Sequence, residues 1–241
     1  MPKTIAIVQS NYLPWKGYFD LIGLVDEFVV YDDVQYRKNH WHNRNVIKSR
    51  QGLQWLTIPV SKAGGAFRNI DEISVATPFA EKHWKTIAQS YARAPFFDLM
   101  ARRFEQLYAR AAELQLLTEV NVLFMTAIAE ILGFETRFVR SSDLEAAGDK
   151  TGRLIEICKE LGAGRYLSGP SARAYLDDSR FLAAGVEVAW MDYAGYMPYH
   201  QLFGPFEHNV SIIDLLMNTG PDARNYMKAG TIGTTRTREE P

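Results

Sequence analysis

Residues 4–31 read TIAIVQSNYLPWKGYFDLIGLVDEFVVY, and this stretch decides the fold class. Residues 4–8 form a short apolar run with β-branched members, the pattern of a buried strand. The following Gln9-Ser10-Asn11-Tyr12-Leu13-Pro14 is turn-like. Over 16–25, Tyr18, Leu21, Ile22 and Val25 recur at helical spacing and so share one face. Residues 27–31 form a second buried strand around Phe28-Val29-Val30. Strand, helix and strand in this order predict a parallel pair joined by a crossover.

Outward from this unit, further strands are expected over 53–60 and 70–75, separated by a flexible loop, Lys62-Ala63-Gly64-Gly65-Ala66. From 81 to 132 the period becomes helical. His83-Trp84-Ile87-Tyr91, Phe104-Leu107-Tyr108 and Val120-Leu123-Phe124-Ala127-Ile128-Ile131 mark three helices, with Pro95 after the first and Gly133 closing the last. Strands then fall at 136–139, 165–167 and 186–191, and helices at 150–161, 170–175 and 211–217. The segment 229–241, rich in Gly, Thr, Arg and Glu, reads as a disordered tail. Alternating strands and helices give an α/β fold: an open, mostly parallel, Rossmann-like sheet with flanking helices and an inserted helical segment at about 81–132. Residues 1–228 are expected to make a single domain.

The composition narrows the function. The chain has 241 residues, 47% of them apolar, and a formal charge of −1. Such a balance argues against a general electrostatic grip on nucleic acid, although Arg37, Lys38, Arg44, Lys48 and Arg50 make a local basic cluster. Cys158 is the only cysteine, which removes a disulfide framework and a thiolate zinc site and suits a reducing, cytoplasmic setting. No signal peptide or membrane-spanning apolar run is evident.

Four segments carry chemistry. In the first, Gln9 to Tyr18, Gly17 would let a ligand approach the backbone, and a new helix offers free N–H groups to phosphate. Gln9, Tyr12, Lys16, Gly17 and Tyr18 are its ligand candidates. The second, Asp32 to Asn45, leaves the end of a buried strand, where open α/β sheets bind ligands. Asp32 and Asp33 suit a base acting on an amine or hydroxyl, or a pair holding a divalent cation such as magnesium. Lys38 and Arg44 suit phosphate, and Trp41 suits stacking on a base or sugar. Gln35, Asn43 and Asn45 add polar contacts, while His40 and His42 lack the third ligand that zinc needs. In the third, Ser168-Gly169-Pro170-Ser171, a strand ends, Gly169 turns and Pro170 opens a helix, so Ser168, Gly169 and Ser171 form an anion cradle. The fourth runs from Asp192 to Asn218. Asp192 leaves the last strand, His200 is an acid–base candidate, and Ser211 with Asp214 is explained by helix capping.

The first segment resembles the opening loop of the nucleotidyltransferase-like fold, where His-x-Gly-His begins the helix. Here Trp15 and Tyr18 stand at the histidine places, so that mechanism is not carried over. The chain as a whole resembles the WbqC-like protein family. The resemblance rests on Gln9 through Gly17-Tyr18, Asp32-Asp33-Val34-Gln35-Tyr36, Trp41 with Asn43-Arg44-Asn45, and Trp55-Leu56-Thr57-Ile58-Pro59-Val60. Ser168-Gly169-Pro170-Ser171 and the run from Ser211 to Gly220 complete it. It implies a link to surface-polysaccharide gene clusters, without an agreed reaction. The expected function is a transferase acting on a nucleotide-linked sugar or amino sugar, moving an acyl or aminoacyl group. A carrier or tRNA stays open as the acyl donor, and charge developing in such a transfer would fall to Arg44 and Lys38. A non-catalytic nucleotide- or glycan-binding module and a metal-dependent nucleotidyltransferase are the alternatives.

Overall fold

A computed structural model describes residues 2–61 and 67–230 of the chain. Its centre is a five-stranded sheet in the order β5-β2-β1-β6-β7. The strands are β1 (Thr4–Val8), β2 (Glu27–Val30), β5 (Arg137–Arg140), β6 (Arg165–Ser168) and β7 (Glu187–Trp190), and every neighbouring pair is parallel. The chain builds outward from β1 to one edge, then returns to build the other beside β1. Ligands of such sheets sit beyond the strand ends where this reversal opens a crevice.

Strand alternation sorts the core into two layers. Ile5, Ile7 and Val29 point to one face, where α5 (Lys150–Glu160) and α6 (Asp178–Ala183) supply Leu154, Ile155, Cys158 and Phe181. Ala6, Phe28 and Val30 point to the other, against Phe19 and Ile22 of α1 (Lys16–Gly23). The thiol of Cys158 is buried and pushed up to about 12, which makes it a core residue.

The long insertion between β2 and β5 is more than helical. It begins with an antiparallel hairpin, β3 (Arg44–Ser49) and β4 (Gly52–Thr57), before α2 (Ala80–Tyr91), α3 (Phe97–Ala111) and α4 (Leu117–Ile131). β3 takes in the last two residues, Arg44 and Asn45, of the polar stretch expected to be a loop, and β4 joins β3 rather than the main sheet. The strand expected at 70–75 is instead a 3-10 turn over Ile70–Glu72, followed by isolated bridges at Ser74 and Val75. The Asn69 N–H donates to Glu72 Oε2 at 2.7 Å and closes the turn locally. The helix expected at 170–175 is a 3-10 turn, Pro170–Ala174. The ordered chain also continues past 228: Ala229 is buried, and its N–H donates to Asp20 Oδ1 at 2.8 Å. The loop at 62–66 and the rest of the expected tail lie outside the described residues. Among the described residues no helix is long and apolar enough to cross a membrane.

The segment joining β1 to α1 is clamped from all sides. Tyr18 Oη donates to the Gln9 carbonyl at 2.8 Å, and His42 Nδ1 donates to the Ser10 carbonyl at 3.0 Å. Asn45 Nδ2 donates to the carbonyls of Tyr12 (3.2 Å) and Leu13 (2.9 Å). The Ile212 N–H donates to the Pro14 carbonyl at 2.9 Å, and the Tyr12 N–H to the Trp41 carbonyl at 3.1 Å. Leu13 is thereby held at φ +44°, a conformation that a branched side chain avoids on its own.

Removing the double donor should loosen this loop. Asn45→Ala is expected to cost about 1–3 kcal/mol by urea denaturation, because two buried carbonyls lose their partner. A loss below about 0.5 kcal/mol, the size of an ordinary surface change, would contradict the clamp.

Candidate functional site

Beyond the end of β1 lies a cleft of about 250 Å³ lined by Asn11, Pro14, Trp15, Trp41, Asn45 and Asn209. Two indoles and three carboxamides face it, with no charged side chain in the lining. Trp15 comes from the clamped loop, Trp41 and Asn45 from the stretch running into β3, and Asn209 from the segment before α7 (Ile212–Thr219). The clamp therefore builds the cleft: Asn45 both holds the loop and lines the hollow. The Asn11 Oδ1 is buried, and among the described residues no donor reaches it. Flat indole faces for C–H surfaces and amides for hydroxyls suit a neutral, hydroxylated ring.

A larger hollow, about 670 Å³, lies over the α1-side face of β6 and β7, floored by Leu24, Leu167, Ala189 and Met191. It is rimmed by charges of both signs at Asp26, Arg165, Glu187, Asp192 and Lys228. The cleft beyond β1, with convergent polar groups from three segments, is the better candidate.

Several expected site residues lie elsewhere on the rim. Gly17 makes room for a neighbour: a Cβ there would collide with the Trp15 indole, which also packs on Tyr193 (5.1 Å) and Tyr196 (5.7 Å). The indole thus covers the start of α1. Lys16 is buried, with Nζ donating to the Met197 carbonyl at 3.4 Å and lying over the rings of Tyr196 (4.6 Å) and Tyr199 (5.3 Å). Burial lowers its pKa to about 8, against the pull of Asp20. Tyr12 Oη is hydrogen-bonded to His83 Nδ1 (2.9 Å) and Tyr108 Oη (2.7 Å).

The acid pair is arranged as two separate carboxylates. Asp32 is buried and accepts from the Ser10 N–H (2.8 Å) and Thr118 Oγ1 (2.5 Å), while desolvation raises its pKa. Asp33 pairs with Arg153 and accepts from Ser141 Oγ; its side chain is 19% exposed. All four carboxylate oxygens have a donor within the protein. Among the described residues no group of three His, Cys, Asp or Glu side chains is placed to hold a metal. The pair does not line the cleft.

The remaining candidates divide between scaffold and surface. Asn43 Nδ2 donates to the Ile58 carbonyl at 2.8 Å, and Gln35 is exposed beside a bridge to Asn69. Lys38 and His200 are exposed. Arg44 Nη2 donates to the Asn39 carbonyl at 2.6 Å, and its guanidinium lies 4.5 Å from the Trp55 ring. Ser168 is buried and donates to Tyr166 Oη at 3.2 Å. Gly169 caps the Pro170–Ala174 turn opposite Tyr193, and Ser171 is exposed on that turn. Asp192 accepts the Ala194 N–H at 2.9 Å and lines the larger hollow. Asp214, expected as a cap partner, is instead a buried hub taking hydrogen bonds from Tyr91 (2.9 Å), Tyr199 (2.7 Å) and Gln201 (2.8 Å). Gln201 in turn accepts from Lys48 Nζ at 2.9 Å. Sequence reasoning missed Asn11, Trp15, Asn209 and Trp55 as candidates; Trp55, on a strand face open to solvent, carried the clearest signal.

The chain matches the WbqC-like protein family over residues 9–226. It is 45% identical over 227 residues to an uncharacterized protein of Mycobacterium tuberculosis, covering 94% of this chain and 98% of that protein. No solved structure matches it.

His42 beneath the cleft gives a pH signature. Burial lowers its pKa from 6.5 to about 4. Below the unfolded value the unfolded chain binds the proton and the folded chain does not, so stability is lost as pH falls from 6.5 to 4. His42→Asn should therefore lose about 3 kcal/mol less than the native chain between pH 7 and pH 4. Urea denaturation of both proteins at each pH checks this; parallel curves would contradict it.

Proposed function

Starting from the fact that the chain belongs to the WbqC-like protein family, we propose that it is a transferase acting on a nucleotide-linked sugar or amino sugar. Surface-polysaccharide assembly is the setting. The observation that carries this reading is the uncharged cleft of Trp15, Trp41, Asn11, Asn45 and Asn209 at the end of β1, which suits a sugar ring.

In the transfer, the amine of an amino sugar attacks the carbonyl carbon of an activated acyl or aminoacyl group. A C–N bond forms, and the bond to the carrier breaks with its electron pair leaving on the carrier. Asp33, beyond the end of β2 and outside the cleft lining, is the group that takes the proton released from nitrogen, so the amine has to extend out of the hollow toward it. Arg153 fixes its orientation. His200, exposed on the segment after β7, is the second acid–base candidate. Asp32 serves as a positioning residue, because it holds the Ser10 amide and through it the clamped loop.

A second reading, a binding module without turnover, draws on the absence of charged side chains from the cleft lining. A thermal-shift and turnover panel of nucleotide sugars, amino sugars and acyl carriers separates the two. A ligand at a hundred times its Kd should stabilise the fold by about 2.7 kcal/mol. Trp15→Ala should abolish the shift given by free amino sugars. Asp33→Asn should keep the ligand-induced shift but lose turnover about a hundredfold or more. Ligand binding by the native chain with no turnover of any donor would favour the binding module, and a flat panel would remove both readings.

A further inference from the structure

Two tryptophans stand unexplained by the fold. Trp41 is 43% exposed and Trp55 49%, and they stack on each other at 5.6 Å with 24° between their planes. Strand pairing explains the third member of the group. Arg44 faces Thr57 and Val46 faces Trp55, so Arg44 and Trp55 are diagonal neighbours on one face of the hairpin. The guanidinium lies 4.5 Å from the Trp55 ring. The group is anchored at both ends, since the Trp41 carbonyl holds the Tyr12 N–H and Arg44 holds the Asn39 carbonyl. One ring, Trp41, also lines the cleft, so the exposed platform and the hollow are continuous.

The electrostatics are one-sided here. Residues 34–70 contain seven lysines and arginines and no aspartate or glutamate, in a chain whose net charge is −1. Two of the seven are used inside: Lys48 bonds Gln201 and the Pro205 carbonyl, and Arg68 bonds the carbonyls of Ser61 and Glu72. Arg37, Lys38 and Arg50 are exposed, and Arg44 is half-buried with donors to spare. Exposed π faces beside cations that form no ion pair among the described residues call for a planar ring joined to anionic groups. A neutral glycan would use the rings and leave the cations idle. A nucleic acid would need a longer basic track than these few side chains provide.

We propose that the Trp41–Trp55–Arg44 platform binds the nucleoside diphosphate part of the ligand, the base stacked on indole and the phosphates on Arg44 with Arg37 and Lys38. This rests on the reading that the cleft beyond Trp41 takes the sugar. The two subsites would then hold a nucleotide sugar end to end, with Trp41 between them.

Calorimetric titration of the full chain with UDP, CDP, GDP, dTDP and ADP, without any sugar, tests the platform alone. At least one should bind, and Trp55→Leu and Arg44→Gln should each weaken it about tenfold or more. Neither residue lines the cleft, so binding of glucosamine or N-acetylglucosamine, abolished by Trp15→Ala, should persist in both variants. Sugar binding with no nucleoside diphosphate binding at millimolar concentration would overturn the platform and leave the cleft reading standing. Trp55-dependent nucleoside diphosphate binding with no sugar binding would keep the platform and overturn the cleft. Unchanged nucleoside diphosphate affinity in Trp55→Leu, or tighter and steeply salt-dependent binding of a short single-stranded RNA lost in that variant, would also overturn the proposal.

Discussion

Five backbone carbonyls between Gln9 and Pro14 are held by donors that arrive from other elements, and the rest of the rim depends on this. A loop between a strand and a helix ordinarily satisfies its carbonyls with water. This one is buried, so protein donors must replace the water. Tyr18 reaches back from α1, His42 and Asn45 come from the approach to β3, and Ile212 from α7. The same groups that satisfy the loop place Trp15, Trp41 and Asn45 around one hollow.

Buried polar chemistry recurs on the other side of the hairpin. Asp214 receives Tyr91, Tyr199 and Gln201, and Gln201 receives Lys48. Burial raises the pKa of Asp214, while its hydrogen bonds oppose the rise. This hub ties α2, β3, the irregular segment after β7 and α7 into one body. That segment has no regular structure of its own to hold it. Tyr193 and Tyr196 fix it to Trp15, and Tyr196 is hydrogen-bonded to Asp20 on α1. Rim geometry is thus set by side-chain networks as much as by the sheet.

The main sheet was legible because β1 and β2 are apolar runs and α1 carries a clear helical stripe. β3 was hidden because both of its faces are buried and include Asn45 and Lys48, whose polar groups find partners inside the protein. The alternation at 70–75 imitated a strand, but the Asn69–Glu72 pairing folded it into a turn. Within the site, Trp41, Asn45 and the first loop stood out by composition. Asn11 and Asn209 did not, because a lone asparagine signals nothing until distant segments are brought around it. The acid pair was conspicuous for the opposite reason: Asp32 and Asp33 adjoin in sequence but reach to different partners, Thr118 and Arg153.

The clamp has a consequence for assembly. Its hydrogen bonds join residues 32, 33 and, through Asn121 to Ser10 Oγ, 111 positions apart. Such high contact order means that closure of chain loops must precede the reward. β1 and α1 can associate early, but the hollow above them takes shape only after the hairpin and α4 have docked. The hollow is therefore completed late, and the five-stranded sheet is no earlier, because the pairing of β1 with β6, Ile5 beside Tyr166, closes a still longer loop of chain.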